Sequence, residues 1–327
     1  MRILVCGGAG YIGSNMANVL AGAGHKPIIF DNLSRGHRAA VRDFEFVEGD
    51  LANYELVADT LKRQKIDAVM DFAALIEVGE SVLEPLKYYR NNFSTTSVLL
   101  SAMEKTGVEK FVFSSTAAVY GTPAEIPITE DCPTHPINPY GETKLAAERM
   151  CCYQSRAGRL RYAALRYFNA CGAGSNCTLG EDHRPESHLI PLTIQAAMQK
   201  RSDIRIFGTD YETPDGTCIR DYIHVSDLCR AHLLALDKLE TSSELVYNLG
   251  NSKGYSVREV IETVREVSGS DFRVIESERR AGDAAVLTAD AEKAKEELGW
   301  ATEFNDLKEI VSTAWQWHNR CPDGYVE

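Results

Sequence analysis

The sequence predicts an α/β fold: a doubly wound parallel sheet, with a second and smaller α/β unit after it. Three observations carry the prediction. Short β-branched runs alternate with longer helical patterns from residue 3 to residue 168, a glycine-rich turn stands directly behind the first run, and the rhythm breaks after Asn169. Runs that are apolar throughout are strands covered on both faces, which a parallel sheet flanked by helices provides. The expected division is residues 1–170 for the main sheet, regaining part of 215–250, and residues 171–327 for the smaller unit.

The elements follow in order. Ile3-Leu4-Val5 opens the sheet, Ile12 to Leu20 reads as a helix, and Pro27 to Phe30 as the second strand. Phe44 to Val47, Ala68 to Phe72, Phe111 to Ser114 and Ala163 to Phe168 continue the strands, with helices at Tyr54 to Gln64, Pro85 to Thr106 and Pro139 to Arg156. Within Pro85 to Thr106, the residues Leu86, Tyr89, Phe93, Leu100 and Met103 recur at helical spacing and predict one packed stripe. Residues 170–188 are polar, with Gly, Pro and His, and read as a long loop of the kind that serves function in a compact protein. A helix at Pro191 to Lys200, strands at Ile204 to Phe207 and Val246 to Leu249, and helices at Ser226 to Leu239, 256–267, 290–298 and 306–318 complete the chain.

Composition narrows the function. At 327 residues the chain can bury a large core, and 47 acidic against 35 basic residues give a net charge of −12. A surface that acidic repels a phosphate backbone, so no nucleic-acid partner is expected. A small anion needs only a few local donors. The start is no signal peptide, and nowhere do about 18 apolar residues run together as a membrane span requires, so a cytoplasmic chain without a membrane partner is expected. The nine cysteines form no C-x-x-C and no H-E-x-x-H is present, so no metal site is expected and the thiols read as small buried hydrophobes of a reducing compartment.

Two motifs carry chemistry. Gly7, Gly10 and Gly13 give the spacing G-x-x-G-x-x-G between a strand and a helix, where glycines allow a tight turn and close approach of a pyrophosphate to the helix N-terminus. Asp31 closes the second strand eighteen residues beyond Gly13. There it accepts hydrogen bonds from an adenosine ribose and repels a 2′-phosphate, which favours NAD over NADP; Arg35 and Arg38 nearby weaken that preference slightly. This context makes the sheet Rossmann-type. In the second motif Tyr140 and Lys144 stand four apart at a helix start and so share one face. A free tyrosine is a poor base at neutral pH; an ammonium and a cationic nicotinamide beside it favour the phenolate. Ser114-Ser115-Thr116 ends a sheet strand close by in this scheme.

Together, these residues resemble the extended short-chain dehydrogenase/reductase superfamily, and within it the UDP-glucose 4-epimerase (UDP-galactose 4-epimerase) family. Further blocks match in order over essentially the whole chain: Phe72-Ala73-Ala74, Val78 to Ser81, Tyr88 to Asn92, Val119-Tyr120-Gly121, Leu165 to Asn169, Asp210-Tyr211, Asp215 to Val225, and Tyr247 to Gly250. The resemblance implies Tyr140 as the base, Lys144 as its partner and Thr116 as the hydroxyl that shares the reacting oxygen. It implies cofactor contacts from Gly7, Gly10, Tyr11, Ile12, Gly13, Asp31, Asn32, Asp50, Leu51, Phe72, Ala73, Asn91, Tyr140, Lys144 and Tyr167. Thr116, Tyr140, Asn169, Leu189, Phe207, Arg220, Tyr222, Arg280, Asp283 and Leu287 are implied for a UDP-sugar, with the two arginines on the diphosphate. The implied reaction inverts C4 of a UDP-hexose through a 4-keto sugar, with NAD retained, in a homodimer.

Three positions depart from the family pattern. Ile76 replaces a Lys of some members and removes one cofactor contact. His188 stands where some carry a uridine-binding Asn. Leu287 replaces a Tyr or Cys that borders the sugar's C2 substituent, which opens the question of N-acetylhexosamines. Sugar-nucleotide dehydratases and decarboxylases share the motifs but need a further acid or base beside the Ser/Thr, where Ala117 and Ala118 stand here. UDP-pentose or UDP-uronate 4-epimerases stay open, and a non-catalytic NAD-sensing protein is a distant alternative that the intact Tyr140/Lys144 pair opposes.

Overall fold

A computed structural model describes residues 1–280 and 283–326. Its strands are β1 (Arg2–Cys6), β2 (Lys26–Asp31), β3 (Glu45–Glu48), β4 (Ala68–Asp71), β5 (Lys110–Thr116), β6 (Arg161–Tyr167), β7 (Asn169–Cys171), β8 (Ile204–Phe207), β9 (Ile219–His224), β10 (Glu244–Leu249), β11 (Gly254–Ser256), β12 (Val274–Ser277) and β13 (Val286–Leu287). Seven of them form one parallel sheet in the order β10-β6-β5-β4-β1-β2-β3. The strand order reverses between β1 and β4, so a crevice opens at the carboxyl ends of these two strands, the place where such sheets bind ligands.

Each face of the sheet has its own core. On one, Met16, Ala17 and Leu20 of the helix Tyr11–Gly22 pack with Leu228, Ala231 and Ala235 of the helix Val225–Lys238. On the other, Val57, Leu61, Leu99, Met103, Ala147 and Cys151 come from the helices Tyr54–Arg63, Thr95–Thr106 and Pro139–Arg156. The expected strand Val246 to Leu249 is β10, and it returns from the second half of the chain to extend the main sheet beside β6. Beyond the carboxyl edge, β9 pairs with β7, β11 and β13, while β8 pairs with β12. Helices Leu189–Ala197, Val257–Ser268 and Leu307–Arg320 pack beside these small sheets around Ile194, Val260, Val264 and Ile310.

The single helix expected from Pro85 to Thr106 is broken. Pro85–Tyr88 is α-helical, Tyr89–Ser94 is a π-turn, and the α-helix resumes at Thr95–Thr106. Asn92 explains the insertion: its side chain accepts from Leu75 N at 2.9 Å and donates to Leu75 O at 2.9 Å, so the extra residue satisfies a neighbouring loop. The stripe splits accordingly. Leu100 and Met103 are buried, whereas Leu86 and Tyr89 are 67% and 39% exposed. No helix among the described residues is long and apolar enough to cross a membrane.

Candidate active site

The glycine turn closes directly behind β1. Gly7 has φ +70°, and a Cβ there would stand 2.7 Å from Ala73 N, while one on Gly13 would stand 2.2 Å from Gly7 O. These two positions therefore exclude side chains. Gly10 caps the helix Tyr11–Gly22 in extended conformation, with no side chain bonded to the first N–H groups. A Ser or Asp cap would have consumed them; here they stay available to an anion. Asp31, 8% exposed at the end of β2, accepts from Ala9 N at 3.0 Å and Leu33 N at 2.8 Å, which fixes its carboxylate against the turn. Its remaining lone pairs suit two ribose hydroxyls. Burial raises its pKa against those backbone bonds. Asn32 donates to Asp50 at 2.9 Å, Leu51 is buried beside them, and Phe72 and Ala73 line the exit of β4. Asn91 donates to Asn92, and Ile12 is half-buried at the helix start. The donor set fits a dinucleotide. The Tyr11 hydroxyl is turned away to Gly172 O, to which it donates at 2.7 Å.

Thr116 ends β5 opposite Tyr167 of β6, and the helix Pro139–Arg156 sets Tyr140 and Lys144 over the same edge. Asn138 fixes that helix start by accepting from Gly141 N at 2.9 Å, with Pro139 in the first turn. Lys144 is 3% exposed and donates to Ser114 O at 2.8 Å; Ser114 also bonds the Tyr167 hydroxyl. The expected lowering of Tyr140 by Lys144 needs correction for the protein alone. Burial pushes the Tyr140 phenol above its usual value, and the group opposing that rise is the Thr116 hydroxyl. Burial also brings Lys144 down to about 8, with the charges of Asp71 and Glu148 pulling the other way. Burial thus opposes the phenolate, and a positive charge beside it would favour that form.

Behind these groups lies a polar network that the sequence reading did not include. Glu148, one turn past Lys144, accepts from Arg166 Nη2 at 2.6 Å and Nε at 3.0 Å, and from Ser115. Arg166 reaches the Tyr120 hydroxyl at 2.9 Å, which donates to Asn248 Oδ1 at 2.7 Å. The register Ser115↔Arg166 across β5 and β6 sets this up, and the network anchors the segment from Thr116 to Tyr120.

The residues expected on the UDP-sugar side cluster in pairs. Arg220 of β9 stands 3.6 Å from Asp283, and its neighbour in register on β13 is Leu287. Leu287 is half-buried against Val119, Tyr120, Ile128 and Leu145, beyond Thr116. The Arg280 guanidinium lies 3.9 Å above the Phe207 ring. Asn169 donates to Asp221 O at 2.7 Å, tying β7 to β9. Leu189 begins the helix Leu189–Ala197 and is half-buried. Tyr222 is 5% exposed in the core cluster with Cys171, Ile190 and Ile194, so packing accounts for it.

Residues 3–250 match the NAD dependent epimerase/dehydratase family. The chain belongs to this family. Over 99% of its length it is 50% identical to the UDP-glucose 4-epimerase of Halalkalibacterium halodurans, of which 98% is covered. The UDP-glucose 4-epimerase from Brucella ovis, solved in complex with NAD, superposes with a TM-score of 0.94 at 48% identity, covering 97% of this chain and 98% of that one. The Bifidobacterium longum enzyme, solved with NAD+ and UDP, gives 0.95 at 37% identity over 99% and 100%.

One cluster at the edge of the site was missed altogether. Expectation for a metal rested on cysteine spacing and H-E-x-x-H, yet residues 181–188 read Glu-x-His-x-x-Glu-x-His. In the fold Glu181, His183, Glu186 and His188 bring one donor atom each within 4.8 Å of the others. His188 is thereby engaged by two carboxylates at 2.9 and 3.0 Å.

Proposed function

We propose that this chain inverts C4 of UDP-hexoses, interconverting UDP-glucose and UDP-galactose with NAD held in the β1–β4 crevice. The observation that carries the reading is the Tyr140–Thr116–Lys144 arrangement at the carboxyl edge of the sheet, in a chain similar over its whole length to epimerases. Residues 1–170, with β10 returned, hold the cofactor, and residues 171–327 supply the UDP-sugar side. Bound in this crevice, NAD⁺ supplies a hydride acceptor and a positive charge near the phenol. Tyr140 takes the O4 proton as that hydroxyl becomes a carbonyl, while Thr116 hydrogen-bonds the same oxygen. Lys144, held by Ser114 O, keeps a cation against the cofactor ribose and the phenolate. Arg220 and Arg280 grip the diphosphate; Phe207, Leu189, Asn169 and Asp283 border the uridine end. The 4-keto sugar, held weakly, turns over between these anchors, and Tyr140 returns the proton on the other face. A panel of UDP-sugars followed by separation of epimers tests the reading. The expected result is interconversion of the glucose and galactose forms, and turnover of pentose or uronate forms alone would replace it.

The cofactor grip has its own test. Denatured protein should release a dinucleotide that lacks the 2′-phosphate, because the Asp31 carboxylate would repel that phosphate. Release mainly of NADP would contradict the assignment of Asp31.

Leu287 sets the width of the sugar pocket in this reading. Leu lacks the reach of a Tyr ring beside C2, so weaker activity on UDP-N-acetylhexosamines is expected alongside the hexose activity. Leu287→Tyr should suppress the first and largely spare the second; equal loss of both would return Leu287 to a packing role with Val119 and Leu145.

We also propose a cytoplasmic homodimer. All nine cysteines are free thiols, which suits a reducing compartment. Val82, Leu83 and Leu86 are 59%, 80% and 67% exposed, and Tyr153 on the helix packed beside them is 71% exposed, an apolar surface suited to a second copy. Sedimentation should give twice the chain mass, and Leu86→Glu should shift it toward the monomer. A monomeric wild type would contradict this.

A further inference from the structure

We propose that Glu181, His183, Glu186 and His188 form a four-coordinate site for a divalent transition-metal ion of the zinc class, clasping the loop that leads into the helix Leu189–Ala197. Four ligands about 2.0–2.2 Å from a tetrahedral zinc ion stand about 3.3–3.6 Å from one another. His183 Nδ1 meets that spacing, 3.3 Å from Glu181 Oε1 and 3.6 Å from Glu186 Oε2. His188 Nδ1 stands closer, at hydrogen-bond distance, 2.9 Å from Glu181 Oε1 and 3.0 Å from Glu186 Oε1, and would move outward by a few tenths of an ångström to ligate. Both imidazoles present the same nitrogen to a common centre. His183 Nδ1 is buried there, yet makes no directed hydrogen bond to either carboxylate. It stands between the two carboxylates, 3.3 Å from one and 3.6 Å from the other.

The chemistry of the donors selects the ion. Two imidazole nitrogens and two carboxylate oxygens suit zinc and its neighbours, whereas magnesium and calcium prefer an all-oxygen shell. Charge agrees, because two carboxylates that are only 6% and 5% exposed need two positive charges beside them. One divalent ion supplies both.

The position explains what the ion would do. Next to the cluster, Asp182 Oδ2 lies 3.3 Å from His37 Nε2 and accepts a hydrogen bond from Tyr325 N at 3.0 Å. Arg35 donates to Arg184 O at 2.8 Å, and Ser187 donates to Glu77 at 2.9 Å. The loop thus joins the glycine-turn side of the sheet, the carboxyl-terminal tail and Leu189. A bound ion would lock those connections, and this inference does not rest on the epimerase reading.

The test is metal analysis of untagged protein purified without chelator, followed by chelation and titration with ZnCl2 and CoCl2. The wild type should hold about one zinc per chain, and His183→Gln or Glu186→Gln should lower that content by about tenfold or more. Chelation should lower the melting temperature and ZnCl2 should restore it, while CoCl2 should give the visible absorption of a four-coordinate site. The wild-type titration stands even where a variant fails to fold. Wild-type protein that binds neither ion, a zinc content unchanged in both variants, or a melting temperature indifferent to chelator and ZnCl2 would overturn the site and leave a cluster of protonated histidines paired with glutamates.

Discussion

Tyr140→Phe should lower turnover by ~10²–10⁴-fold, the range a positioned acid–base group contributes, while leaving NAD bound. The phenol oxygen is the only part removed, and Phe fills the same volume on the helix Pro139–Arg156. Thr116 keeps its place, because its backbone belongs to β5 and its hydroxyl accepts from Ala118 N at 3.1 Å. The variant therefore separates chemistry from folding. It should unfold at the temperature of the wild type and release the same dinucleotide on denaturation. Activity within about threefold of wild type, far short of what a general base contributes, would remove Tyr140 from the reaction.

Glu148→Ala should destabilise the protein by about 3–5 kcal/mol, the cost of leaving one partner of a buried ion pair behind. The side chains of Glu148 and Arg166 are 7% and 8% exposed, so water cannot replace the lost carboxylate. Arg166 would then face Tyr120 alone, and Ser115 would lose its acceptor. Because the same network anchors the segment from Thr116 to Tyr120, activity should fall along with stability. Glu148→Gln keeps an acceptor and should lose less. Urea unfolding of both variants checks this; a loss under about 1 kcal/mol for the Ala variant, the value of an exposed pair, would show that the pair is not buried in solution.

Much of this architecture is legible in the residues because local pattern and tertiary role coincide. Ile3-Leu4-Val5 is buried on both faces, and the glycines at 7 and 13 stand where side chains would collide with Ala73 and Gly7 backbone. Tyr140 and Lys144 share one face of the helix Pro139–Arg156 because they stand four apart. What stayed hidden depends on distant partners. The π-turn at Tyr89–Ser94 is made by Asn92 reaching back to Leu75, seventeen positions away, and it is this break that leaves Leu86 outside the core. The Glu148–Arg166 pair follows from the register of β5 on β6; the step of four from Lys144 to Glu148 was its one local sign. The rise in the Tyr140 pKa comes from burial, which no spacing announces. The Glu-x-His-x-x-Glu-x-His run was visible as letters, but only folding turns all four side chains to one centre.

The central claim is inversion at C4 without net oxidation, by a hydrogen that leaves and returns within the closed site. The most direct measurement is incubation of the purified protein with UDP-galactose in D2O, with no nicotinamide cofactor added, followed by NMR of the sugar. The account predicts UDP-glucose approaching equilibrium with no deuterium at C4. Absence of UDP-glucose, or deuterium incorporated at that carbon, would contradict it.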